Sequence, residues 1–103
     1  MSAMIITKEN FEAEALNATE PVLLDFWAPW CGPCQMLLPV VEDLAKEVTN
    51  AKVCKVNVDE EPELASKFRV MSVPTLVVMK DGKVVDATVG VKSKKQLLDL
   101  LDV

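Results

Sequence analysis

Apolar and polar positions run along the chain in two different rhythms, separated by turn-forming residues. Ala3–Ile6 is a short apolar run that ends at Thr7-Lys8-Glu9, which predicts a first strand followed by a helix start. That helix is expected from Lys8 to about Asn17, capped by Thr7, with Phe11, Ala15 and Leu16 on one side. Pro21 to Trp27 reads Pro-Val-Leu-Leu-Asp-Phe-Trp, a nearly unbroken apolar run of strand length. Such a run suits a strand buried on both faces, as in a parallel sheet. From Cys31 to about Val48, Met36, Leu37, Val40, Val41, Leu44 and Val48 recur at helical spacing, with Pro39 expected to kink the helix.

The second half follows the same logic. Lys52 to Val58 reads as a strand and Pro62 to Phe68 as a short helix. Thr75–Met79 and Val84–Val89 read as a hairpin around Lys80-Asp81-Gly82-Lys83. Ser93 with Gln96 three residues later is a capping box that opens a last helix, with Leu97, Leu98 and Leu101 on its apolar face and Leu100 extending it. The order β-α-β-α-β-α-β-β-α places the chain in the α/β class, as a mixed sheet covered by helices. No internal repeat, low-complexity segment or linker interrupts it, so residues 1–103 read as a single domain.

Composition narrows the function. Half of the 103 residues are apolar, enough for a core without metals or staples. A formal net charge of −5 argues against nucleic-acid binding, which needs a basic footprint, and against docking on an anionic membrane. Met4-Ile5-Ile6 is too short for a signal-peptide core, and the run from Pro21 to Pro33 carries Asp25 and is too short to span a bilayer. The expectation is a soluble, cytoplasmic protein. Histidine and tyrosine are absent, which excludes an imidazole base, a Ser-His-Asp or Cys-His site and any histidine metal ligand. Proton transfer falls to a carboxylate, a lysine, a thiol or water.

Three cysteines leave one over, so they do not form a disulfide framework. Cys31 and Cys34 lie three apart in Trp30-Cys31-Gly32-Pro33-Cys34, at the expected start of a helix. Residues at that spacing share a helix face with Cβ atoms about 5–6 Å apart. A disulfide needs about 4 Å, so a small adjustment of the first turn closes or opens the bridge. The free N–H groups and partial positive charge of a helix N-terminus favour a thiolate at Cys31, and the thiolate is the nucleophile. Gly32 lets a partner backbone approach, and Pro33 fits a first helical turn because its missing N–H would be unpaired there anyway. The alternatives are half a zinc site, which lacks its other ligands here, and two inert core cysteines. Cys54 alternates with Lys55 on a strand and reads as a small buried hydrophobe, with a regulatory or metal-binding thiol as the alternative.

Asp25 stands inside the apolar strand Val22–Trp27. A carboxylate there is costly to ionise, so its pKa is expected to rise and make it a candidate acid/base beneath the thiols. Lys55 is the charged residue inside the next strand, and its long stem allows it to reach Asp25. A structural aspartate and a solvated edge lysine are the plainer readings of the two.

Taken together, these residues resemble the thioredoxin family. Phe26-Trp27-Ala28-Pro29-Trp30-Cys31-Gly32-Pro33-Cys34 is similar to its active-site segment. Asp25 matches the family's buried aspartate, Lys55 its companion lysine and Pro39 its helix proline. Val73-Pro74-Thr75 matches the loop that faces the cysteines, and Gly90 a glycine on the substrate side. The resemblance covers the whole chain, with the bacterial type nearest.

It implies the thioredoxin fold, a central mixed sheet of about five strands flanked by four helices, with a cis peptide before Pro74. It also implies a general protein-disulfide reductase that cycles a Cys31–Cys34 dithiol without cofactor or metal, with Asp25 and Lys55 assisting. Trp30, Gly32, Pro33, Val73, Pro74 and Gly90, with Val89 and Val91, would form the rim that docks diverse disulfide-containing proteins. A thioredoxin reductase would restore the dithiol, and the protein would act as a monomer. Glu63, Arg69 and Ser72 stand where the family often has glycine, Gln35 replaces the usual basic residue after the second cysteine, and Met71 adds apolar surface. A disulfide oxidant or isomerase on the same fold and a binding subunit without redox turnover are the other readings of the pattern.

Overall fold

The computed structural model describes residues 2–103. Its elements follow the expected order: strands β1 (Met4–Ile5), β2 (Val22–Trp27), β3 (Lys52–Asn57), β4 (Thr75–Lys80) and β5 (Lys83–Val89). A π-helical segment, Glu12–Leu16, lies between β1 and β2, and helices α1 (Gly32–Glu47), α2 (Pro62–Lys67) and α3 (Lys94–Leu100) complete the chain. The sheet order is β1-β3-β2-β4-β5. β3 runs parallel to both β1 and β2, whereas β4 is antiparallel to β2 and to β5. The sheet is therefore mixed, with β2 buried at its middle.

Two cores lie on the two faces of that sheet, and the side-chain alternation of β2 assigns its residues between them. Val22, Leu24 and Phe26 join Cys54, Val56, Val77 and Met79 under the π-helical segment and α2. Phe68 seals this side, with its ring centroid 5.7 Å from that of Phe11 and 5.4 Å from that of Phe26. Leu23 faces the other way, with Val53, Leu76 and Val78, against Leu37, Val41 and Leu44 of α1 and Leu97 of α3. Each fully buried leucine contributes about 2 kcal/mol of apolar transfer. The continuous apolar run of β2 thus reflects burial on both faces.

The first helix differs from expectation. It is a short π-helical segment, closed by Asn17 N–H donating to the Glu12 carbonyl at 2.9 Å, and Thr7 does not cap it. Asn10 ties the entry together: its side chain accepts from Thr7 N–H at 2.8 Å and donates to the Ile5 carbonyl at 2.9 Å. These bonds close a turn at residues 8–10, from which Phe11 N–H reaches back to the Thr7 carbonyl at 2.9 Å and leads into the π-helical segment. Pro39 lies inside α1, which continues as one helix through it and leaves the Gln35 carbonyl without an N–H in the ladder.

The remaining punctuation agrees with its local chemistry. Asp81 and Gly82 have φ of 54° and 78°, as a two-residue hairpin loop requires. Ser93 and Gln96 form the expected reciprocal capping box. Arg69 has φ of 55° where α2 closes, and Val70 N–H reaches back to the Ala65 carbonyl at 2.9 Å. This is a left-handed helix stop at a position better suited to glycine, and it costs about 1 kcal/mol.

Candidate active site

The chemistry gathers at the carboxyl end of β2. The chain leaves β2 at Trp27, turns with Cys31 N–H on the Ala28 carbonyl at 3.2 Å, and enters α1 with Cys31 as its N-cap. Pro33 sits in the first turn of α1, where no N–H is missed. Cys34 N–H donates to Cys31 Sγ at 3.2 Å. The two cysteines form a disulfide with their Cα atoms 5.2 Å apart. Both are nearly buried among Ala28, Trp27, Val58 and Val73. A Cβ at Gly32 would meet nothing within 4 Å, so the surface in front of the disulfide is open.

A second loop faces this tip. The Val73–Pro74 peptide is cis, and the Val73 carbonyl oxygen lies 3.6 Å from Cys31 Sγ. In the disulfide this is a contact, since the sulfur carries no proton. The Pro74 carbonyl accepts from Gly90 N–H at 2.9 Å, which ties the end of β5 to the loop. Gly90 has φ of 101°, which a side chain would strain. Trp30 projects into solvent at 71% exposure, yet its indole N–H donates to Asp59 Oδ2 at 3.0 Å. Trp30, Val58, Val70, Met71, Ser72 and Val73 line a hollow of about 150 Å³ beside the disulfide. The loop residues, Gly32, Pro33 and Trp30 therefore come together, with Val89 and Val91 exposed next to Gly90.

Asp25 is fully buried on the α1 side of β2, and neither carboxylate oxygen has a hydrogen-bond partner among the described residues. Burial pushes its pKa up from 3.8 to about 7, against the opposing pull of the Lys55 charge. Lys55 stands opposite Asp25 in the β2–β3 register. Its ammonium does not bond to Asp25, however. It pairs with Glu42 Oε2 at 2.8 Å, because α1 supplies a partly solvated carboxylate within reach. Glu42 and Asp59 escaped the sequence reading. Glu42 falls on the Cys34-Leu38-Glu42 stripe of α1, a spacing that marks it, whereas nothing near Asp59 in the sequence singles it out.

Cys54 lies in the opposite core, where burial first, and Glu14 and Glu20 further, push its thiol up to about 12 against Lys52. That thiol is not a nucleophile near neutral pH. Among the described residues no cluster of acidic or cysteine side chains is arranged to hold a metal ion. Among the same residues no helix is long and apolar enough to cross a membrane.

A closed cysteine pair at a helix tip, faced by a cis-proline loop and underlain by a buried acid, defines a thiol–disulfide oxidoreductase. Comparison with known proteins gives the family. The thioredoxin family model matches residues 2–103. Thioredoxin 1 of Synechococcus elongatus is 48% identical over 101 residues, covering 97% of this chain and 94% of its own. Thioredoxin of Bacillus subtilis is 48% identical over 103 residues, covering 99% and 97%. The solved structure of a thioredoxin variant from Halobacterium salinarum superposes with a TM-score of 0.88 at 42% identity, covering 98% of this chain and 88% of that one. The chain belongs to the thioredoxin family, and it is a protein-disulfide reductase built around the Cys31–Cys34 pair.

Proposed function

We propose that the site works as a directional reductant in which each residue has a separate task. Reduced Cys31, as thiolate, attacks a disulfide of a target protein, forms a mixed disulfide and releases the target's other sulfur as a thiolate. Asp25 then takes the proton of the Cys34 thiol, and Cys34 attacks Cys31 Sγ. The target's second sulfur leaves, two electrons have passed to the target, and Cys31–Cys34 is oxidised. A thioredoxin reductase returns the two electrons. Lys55 sets the charge balance at Asp25, while Trp30, Gly32, Pro33, Val73, Pro74 and Gly90 dock the target.

The observation that carries this reading is the asymmetry of the pair. Cys31 Sγ receives the Cys34 N–H at 3.2 Å at the open helix tip, which favours its thiolate. Cys34 lies one turn inside, on the side of the buried acid. Backbone groups of Val73 suit an extended target strand, which explains recognition without a side-chain code. The protein would act as a single-domain monomer in the cytoplasm, with the disulfide as its whole redox equipment. Cys34→Ser is expected to accumulate mixed disulfides with targets, visible on non-reducing gels, whereas Cys31→Ser traps none and reduces no insulin. Turnover by Cys31→Ser would overturn the assignment.

A further inference from the structure

Lys55, across from Asp25 in the sheet, is held by Glu42 of α1. Glu42 uses both carboxylate oxygens: Oε2 holds the Lys55 ammonium at 2.8 Å and Oε1 accepts Ala3 N–H at 2.7 Å. Glu42 lies on the same stripe of α1 as Cys34, two turns and about 12 Å further along the helix, too far to touch the reacting sulfurs. Lys55 stands opposite Asp25 in the register, yet bonds to the glutamate while both oxygens of the aspartate go unpartnered among the described residues. The bond from Ala3 anchors Glu42 through its other oxygen.

We propose that Glu42 is a positioning residue for the redox reaction, which holds the Lys55 ammonium off Asp25 and keeps that carboxyl free to exchange a proton with Cys34. A direct Lys55–Asp25 bond would lock the acid in its ionised form and weaken it as a base. The other groups around Asp25 do not compete. β4 presents Leu76 opposite it, and Leu37, Val41 and Leu44 of α1 and Leu97 of α3 pack on this face. Lys94 of α3 is held by Asp43 and Glu47 of α1, and Lys46 acts on Glu42 by its charge alone. Burial raises Glu42, but the bonds from Lys55 and Ala3 outweigh it and hold its carboxyl below the usual range, so it stays ionised where the reaction runs.

The inference rests on Asp25 as the base, and the experiment separates the two. Asp25 is titrated by carbon-13 NMR of its carboxyl in the parent, Glu42→Gln, Lys55→Met and the double variant. Glutamine keeps the acceptor for Ala3 and is a good helix former, so the fold is retained. In Glu42→Gln the Asp25 midpoint is expected to fall by about one pH unit as Lys55 turns to it. In the Lys55→Met background, Glu42→Gln should leave the midpoint in place. An unmoved midpoint in the single variant, or an equal fall in both backgrounds, overturns the positioning role. The pH profile of insulin reduction is expected to move with the titration. A titration that moves without the profile keeps Glu42's hold on Lys55 and removes Asp25 from the proton step.

Discussion

Two buried acids sit on neighbouring strands and on opposite faces of the sheet. Leu24 pairs with Cys54 and Asp25 with Lys55, so the thiol and the carboxyl are a single residue step apart. Burial dominates both, and it leaves Asp25 at about 7 and Cys54 at about 12. The same physical effect therefore makes one group exchange protons at physiological pH and silences the other, because they start from different unperturbed values. Their neighbours sharpen the contrast. The Asp25 face opens toward the cysteines and carries the Lys55–Glu42 pair, whereas the Cys54 face carries the Lys52–Glu14 pair and packs a continuous apolar core closed by Phe68. A redox site needs the first kind of burial, and the second supplies the rigidity on which it stands.

The comparison breaks most severely if an acid is moved across the sheet. Cys54→Asp places a carboxyl in the apolar core under Phe68, and stability should drop by more than about 4 kcal/mol at pH 8. Urea midpoints at pH 5 and pH 8 would show the loss growing with pH, and a parent-like midpoint at pH 8 would mean that the faces are equivalent. Asp25→Asn tests the native acid. Between 3.8, its value in the unfolded chain, and about 7, the folded protein holds the extra proton, so parent stability falls as pH rises through this window. The asparagine variant lacks that slope, and its stability relative to the parent should rise by on the order of 4 kcal/mol from pH 4 to pH 8. A difference independent of pH would contradict the raised pKa. In the same variant, resolution of mixed disulfides at neutral pH should slow by up to about 100-fold in rapid-quench measurements. Cys54→Ala has the smallest effect: about 1 kcal/mol of stability is lost with the buried sulfur, and insulin reduction is unchanged.

How much of this was legible depended on the range over which each signal acts. The apolar run of β2, the Asp81-Gly82 loop and the Ser93–Gln96 box are local patterns, and each became the element expected of it. The first helix differs in type and extent: a turn in which Asn10 accepts Thr7 N–H comes first, and the segment behind it closes its backbone bonds at five-residue spacing. Lys55 was recognised as a charge beside Asp25, but its bond to Glu42 depends on where α1 crosses β3, and no period along the chain encodes that crossing. Likewise Trp30 and Asp59 meet across 29 residues of sequence, through a contact that exists only after the loops have docked.

The sequence by itself determined the elements, the spacing that lets Cys31 and Cys34 close a bridge at a helix tip, and the burial of Asp25 within an apolar strand. These follow from side-chain period, turn chemistry and the cost of exposing apolar surface, all properties of short segments. The tertiary structure decided which groups face one another: the Val73–Pro74 loop over Cys31, Gly90 on Pro74, and Lys55 on Glu42 instead of Asp25. Electrostatic partners are chosen by distance in space, and that distance is set only when the helices pack on the sheet.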